Sequence, residues 1–146
     1  LNGTAAIAGF GFAGFSLAMA LGRFTGDSII PRYGSKQIIQ FGSFIGAAGL
    51  ALVIFIPNIY IAIVGFTLVG LGFSCVVPIL FSAAAKVPGI ASGTGIAAVT
   101  TSGIFGFLIG PPTLGFISNQ FSLTVAFGCI MVLAILATII SNRIQI

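Results

Sequence analysis

The chain has 146 residues, of which 58% are hydrophobic and only 4% are charged. Soluble domains carry about 25% charged residues, so this composition excludes a water-soluble fold and favours an all-α, polytopic membrane helical bundle. The net charge of +4 comes from five basic residues spread over connections and the C-terminal end. We expect no nucleic-acid partner, because these residues form no basic patch.

Five apolar segments are long enough to cross a bilayer, because a hydrocarbon core about 30 Å thick needs roughly 20 helical residues. The predicted spans are residues 4–21, 37–56, 60–81, 95–117 and 121–140. A polar cytoplasmic loop over residues 22–36 follows the first span. The later connections are short and contain Pro, Asn or Gly, which favour turns. The sequence therefore predicts one transmembrane domain over residues 1–146, with antiparallel neighbouring spans. Because the chain begins at Leu1, we expect it to be part of a longer protein.

Charged residues alternate with the spans. The charges lie in the first connection, the third connection and after the last span, at Arg23, Asp27, Arg32, Lys36, Lys86 and Arg143. The second and fourth connections carry none. Lys and Arg are retained in the cytoplasm, so this pattern predicts a multi-pass protein of the cell (inner) membrane with a cytoplasmic C-terminus.

Small residues at helical spacing predict close contacts between helices. Gly42 and Gly46 are one turn apart in the second span, and Gly106 and Gly110 repeat that spacing in the fourth. Bare helix faces of this kind let another backbone approach. We interpret these glycines as helix-packing residues.

Polar side chains inside the spans, and prolines that leave a backbone carbonyl without a donor, are candidates for substrate contact. Polar groups are costly in the membrane unless they find a partner. The candidates are Ser74, Cys75, Pro78, Thr100 and Thr101. Hydroxyls in membrane helices also bond the carbonyl of residue i−4, so a structural role stays open for each. Kinks are expected near Pro78 and near the pair Pro111 and Pro112, because proline removes a backbone donor.

Two segments resemble a known family. Residues 22–27 (GRFTGD) followed by residues 32–36 (RYGSK) resemble the conserved cytoplasmic loop of the major facilitator superfamily (MFS), and residues 106–115 (GFLIGPPTLG) look like its Gly-Pro signature. The resemblance implies that the five spans are helices 8 to 12, in the C-terminal half of a twelve-helix 6+6 fold. One departure concerns Pro31, which occupies the position of the family's usual acid, whereas Asp27 lies four residues earlier.

The resemblance also implies a function. It implies a secondary active permease that moves a small solute by alternating access, with the lipid bilayer and the missing N-terminal helices as its partners. The third span would line the cavity, which adds Thr67 to the candidates, and the fourth would be a sliding surface. The gating loop would comprise Gly22, Arg23, Gly26, Asp27, Arg32, Gly34 and Lys36. Arg23 and Asp27 are four residues apart and can pair on one helix face as part of a latch.

The residue types also bear on other classes of function. An enzyme is disfavoured, because the chain has no histidine and one acid, and neither cysteine has a partner at metal-ligand spacing. We therefore expect no metal and no other cofactor. A channel subunit and a non-transporting structural membrane subunit remain alternatives, because hydroxyl-lined helices with Gly and Pro also build pores.

Overall fold

The computed structural model describes residues 5–143, and the side chains of residues 9–26 and 28–141. Within these residues the chain is helical and has no strand. The helices are α1 Ala5–Tyr33, α2 Ser35–Phe55, α3 Ile59–Phe73, α4 Val76–Ala84, α5 Ser92–Gln120 and α6 Leu123–Arg143. The prediction of an all-α membrane bundle is confirmed.

Four segments of the described chain are long and apolar enough to cross a membrane. They are Ser35–Phe55, Ile59–Ala84, Ser92–Gln120 and Leu123–Ser141. They coincide with the second to fifth predicted spans. The first predicted span begins at residue 4, outside the described residues, and its membrane crossing stays a prediction.

Contacts divide the chain into two compact units. That the chain is one transmembrane domain stays a prediction. One unit comprises residues up to Val76 and from Phe127 onward, and the other comprises Val77–Ala126. In the first unit α3 packs against both α1 and α2, which touch each other much less. The Phe66 and Phe127 rings join α3 to α6, with centroids 5.6 Å apart at 72°. The second unit contains α4 from Val77 onward and α5.

The polar segment over residues 22–36 is mostly helix, which corrects the prediction of a loop. α1 continues through Gly22, Gly26 and Pro31 and ends at Tyr33. Only Gly34 interrupts the helix, because its φ of 82° lies in the left-handed region that favours glycine. At 1.5 Å per residue the 29-residue helix is about 43 Å long, more than the thickness of a hydrocarbon core. Its charged end can therefore leave the core as helix.

The third span is interrupted at Ser74 and Cys75, between α3 and α4. The expected kink near Pro78 has a direct cause here. Pro78 has no N–H for the Ser74 carbonyl, and its ring crowds that carbonyl. Just before the break, the Ser74 N–H donates to the Leu71 carbonyl at 3.3 Å. This bond spans three residues, whereas an α-helical bond spans four, so the chain turns more tightly here. By contrast, α5 continues through Pro111 and Pro112 without interruption.

Glycines bring α2 and α3 together. A Cβ at Gly49 would lie 2.5 Å from the Gly65 carbonyl oxygen, and a Cβ at Gly65 would lie 2.6 Å from the Gly49 oxygen. Gly42 meets the Gly72 carbonyl in the same way. The two backbones therefore touch over several turns, and Leu50 of α2 is only 2% exposed.

Candidate functional site

The C-terminal part of α1 meets the break between α3 and α4. The Cys75 thiol donates to the Gly22 carbonyl at 3.3 Å, and the buried Ser74 hydroxyl donates to the Leu71 carbonyl at 2.6 Å. A Cβ at Gly22 would collide with Ser74, and one at Gly26 would lie 2.6 Å from the Cys75 sulfur. The structure thus places Gly22 and Gly26, predicted as gating-loop residues, in contact with Ser74 and Cys75, predicted as cavity residues.

A groove runs beside this junction, between α1 and α2. We call it the α1–α2 groove. It is an open groove with a volume of about 350 Å³. Its lining residues are Gly22, Thr25, Ile29, Tyr33, Gln37, Ile38, Phe41, Gly42, Ile45, Leu71, Gly72, Ser74 and Cys75. The groove exists because α1 and α2 each pack against α3 and diverge from one another. Most of its surface is apolar, with the polar side chains of Tyr33 and Gln37 at the end nearest Gly34.

The charged residues of the segment 22–36 lie in the last turns of α1 and the first turn of α2. Arg23 is exposed, and its guanidinium donates to the Met19 sulfur at 3.6 Å. The side chain of Asp27 is outside the described residues, so the predicted pair with Arg23 stays a prediction. Arg32 is exposed and Lys36 is half-buried.

Thr67 lies in the contact between α3 and α1. Its hydroxyl donates to the Ile63 carbonyl at 2.8 Å, and a Cβ at Gly14 would lie 2.6 Å from its oxygen. The hydroxyl is therefore engaged by its own helix and covered by α1. It lines neither the α1–α2 groove nor the cleft of the second unit described next.

Thr100 and Thr101 are exposed on α5. Their hydroxyls donate to the carbonyls of Ile96 and Ala97, each at 2.8 Å. Hydrogen bonds of this i−4 kind are a structural role for these hydroxyls. Thr100 also lines a cleft of about 690 Å³ between α4 and α5, whose other walls are largely apolar. Pro78 is exposed on α4.

The predicted packing glycines fall into two groups. Gly42 and Gly46 lie in the α2–α3 contact, where a Cβ at Gly46 would be 2.7 Å from the Phe73 ring. At Gly106 and Gly110 a Cβ would have no described atom within 4 Å apart from the adjoining backbone of α5, and no described residue of α5 is buried. The bare face next to Pro111 and Pro112 is thus uncovered in this part of the chain.

Comparison with known proteins identifies the family. The sequence model of the Major Facilitator Superfamily matches residues 1–142. The chain belongs to this superfamily. The match covers α1 to α5 and all but the last residue of α6. Membership in the MFS, a family of membrane transporters, points to a transporter rather than an enzyme.

Three MFS relatives are similar to the chain. An uncharacterized MFS-type transporter of Yersinia pestis is 44% identical over 126 residues, covering 86% of this chain and 33% of the relative. The membrane protein MosC of Rhizobium meliloti is 33% identical over 80% of this chain and 29% of its own length. An uncharacterized transporter of Sinorhizobium fredii is 28% identical over 92% of this chain and 36% of its own. The chain therefore spans about a third of the length of these curated relatives. No solved structure matches it significantly.

Several packing residues of this MFS chain were missed in the sequence. A Cβ at Gly14 would contact the Thr67 side chain, and one at Gly70 would collide with the Phe15 carbonyl. The available signal was the density of glycine in the first and third spans. It could not indicate partners, because glycine spacing marks a bare face but not the helix that covers it.

Proposed function

We propose that the chain forms helices 8 to 12, in the C-terminal half of a secondary active MFS transporter that moves a small solute by alternating access. The observation that carries this proposal is the family match, which extends through nearly every helix while the relatives are about three times as long. A second bundle from the rest of the protein would supply the other wall of the transport pathway.

The proposed topology places the first and third connections and the C-terminus in the cytoplasm. Asn58 lies between α2 and α3, Asn119 at the end of α5, and Lys86 between α4 and α5. The test uses the full-length protein with Cys75 and Cys129 replaced by alanine and one cysteine introduced at a time. An impermeant maleimide should label Asn58→Cys and Asn119→Cys in intact cells. It should label Lys86→Cys only in inverted vesicles. Labelling of Lys86→Cys from outside would overturn the topology.

The uncovered face of α5 is proposed as the surface that slides against the other half. A contact of small side chains can shift without steric penalty, whereas one large side chain would block it. In the full-length protein, Gly106→Leu should prevent exchange between inward- and outward-open states. Gly106→Ala, which adds a single methyl, is the matched control. Cysteine accessibility from both sides measures the exchange, and the amount of protein in the membrane measures insertion. Normal exchange in Gly106→Leu would place the sliding contact elsewhere.

Asp27 and its basic neighbours are proposed as a cytoplasmic latch that favours one conformation. Asp27 is the only acidic residue of the chain, and Arg23 and Lys36 lie nearby in sequence. Asp27→Asn should change both the transport rate and the relative accessibility of the two faces, whereas Lys86→Gln should change neither. If transport rate and accessibility are unchanged in Asp27→Asn, there is no latch at this residue.

The solute is proposed to be uncharged where this chain contacts it. The predicted spans contain no charged residue, so the chain can offer hydroxyl and backbone groups but no counter-ion. Solute uptake into proteoliposomes that contain the full-length protein tests whether the protein is a carrier. A carrier gives saturable uptake and accelerated counterflow, whereas non-saturable flux without counterflow would indicate a channel.

A further inference from the structure

The α1–α2 groove has a polar end and an apolar end. Tyr33 and Gln37 lie on either side of Gly34, where α1 ends and α2 begins, and both line the groove. The rest of the lining is largely apolar and includes Ile45 and Leu71. Its other polar side chains, Thr25, Ser74 and Cys75, donate to backbone carbonyls. A molecule that fills it must be polar at one end and apolar at the other.

Basic residues stand at the polar end. Arg32 and Lys36 directly precede the lining residues Tyr33 and Gln37. Arg32 is exposed, and it is seven residues after Thr25 and three after Ile29, so it shares their helix face. No acidic side chain lines the groove among the residues that the structure describes. The charge at this end therefore complements an anion.

The groove also lies at the depth of lipid headgroups. The apolar segment Ser35–Phe55 is long enough to cross a membrane, so Tyr33 and Gln37, which lie at or just before its start, are placed near the interface. Tyr33 is 62% exposed and Phe41 is 67% exposed. Tyrosine is enriched at this level of a membrane, whereas the Phe41 ring is apolar throughout. The apolar end of the groove then faces the upper part of the acyl chains.

We propose that the α1–α2 groove binds one anionic phospholipid, with the headgroup phosphate at Arg32 and the first part of an acyl chain against Phe41 and Leu71. The class of ligand follows from the basic polar end, the apolar lining and the depth. The proposal rests on the membrane location of the chain and not on transport.

Fluorescence quenching by brominated lipids tests the groove directly, since the chain contains no tryptophan. Phe41→Trp is introduced into the full-length protein, with any tryptophan elsewhere replaced by phenylalanine. The protein is reconstituted into phosphatidylcholine and phosphatidylglycerol mixtures in which one lipid is dibrominated. We expect the groove probe to favour phosphatidylglycerol about fivefold, the contribution of one basic group near a headgroup.

Phe44→Trp is the matched control probe. Phe44 is 68% exposed, almost the same as Phe41, but it does not line the groove. It should be quenched equally by the two lipids. In the Phe41→Trp protein, Arg32→Gln should abolish the preference, Arg32→Lys should keep most of it, and Lys86→Gln should leave it unchanged.

Three results would overturn the proposal. Equal quenching of the Phe41→Trp probe by both lipids would show ordinary lipid exposure without headgroup selection. Absence of quenching would show that another part of the protein fills the groove. An unchanged preference in Arg32→Gln would place the anion elsewhere. None of these measurements depends on solute movement, so failure here is distinguishable from failure of the proposed transport function.

Discussion

The contact between α2 and α3 leaves no room for a methyl group at Gly49. A Cβ there would lie 2.5 Å from the Gly65 oxygen, 3.0 Å from Leu68 Cβ and 3.1 Å from Val69 N. None of these atoms can move by a side-chain rotation, so the helices must separate. Overpacking of this kind costs about 1–3 kcal/mol, and the higher helix propensity of alanine offsets about 1 kcal/mol. We expect Gly49→Ala to lower the free energy of unfolding by up to about 2 kcal/mol.

Steric trapping of the full-length protein in detergent micelles measures this change. Gly11→Ala is the matched control, because Gly11 is also buried in this unit but its Cβ would meet only the Phe66 ring, at 3.6 Å. That distance is an ordinary contact, so Gly11→Ala should be neutral or stabilising by up to about 1 kcal/mol. If Gly49→Ala loses no more stability than Gly11→Ala, the backbones of α2 and α3 are not in contact at this level.

Three further predictions concern local contacts, each measured as the free energy of unfolding of the full-length protein. Gly26→Ala should destabilise, because the new methyl would lie 2.6 Å from the Cys75 sulfur but 3.9 Å from its Cβ. Cys75→Ala should therefore rescue it, with a coupling of about 1 kcal/mol, and a purely additive double mutant would contradict the contact. Asn58→Ala should cost about 1 kcal/mol, because the Asn58 side chain accepts from the Tyr60 and Ile61 N–H groups at the start of α3. Asn119→Ala, in the last turn of α5, should lower the free energy of unfolding by less. Equal losses of stability in the two variants would refute the capping role of Asn58. Gly34→Ala should cost about 1–3 kcal/mol, because φ of 82° with ψ of 148° is a backbone conformation that essentially only glycine adopts. Gly93→Ala is its control, since Gly93 has equally open surroundings and no positive φ, and a neutral Gly34→Ala would show that the helix break does not need glycine.

The positions of the apolar helices could be predicted closely. The second, fourth and fifth predicted spans begin and end within three residues of α2, α5 and α6. The bilayer sets this length, and an uncharged run of about 20 residues has few other stable environments. The polar segment after the first span was harder to predict. Its glycines and Pro31 favour a turn locally, yet the helix continues through them and ends only where Gly34 adopts a positive φ.

Candidate residues for the site could be selected by chemistry but not by position. Thr100 and Ser74 were chosen for the same reason, that a hydroxyl in a membrane helix needs a partner. The structure separates them, because Thr100 is exposed on α5 whereas Ser74 is buried against Gly22. Sequence spacing on one helix contains no information about the distance to another.

The sequence by itself determined that this chain is a set of membrane helices, because its near absence of charge leaves the bilayer as the only solvent for so much apolar surface. It also determined which helix faces are bare, because glycine has no side chain in any fold. Only the tertiary structure decided which backbone covers each bare face, with Gly65 against Gly49 and Ser74 against Gly22. Such contacts join residues far apart in the chain, and they depend on how whole helices pack.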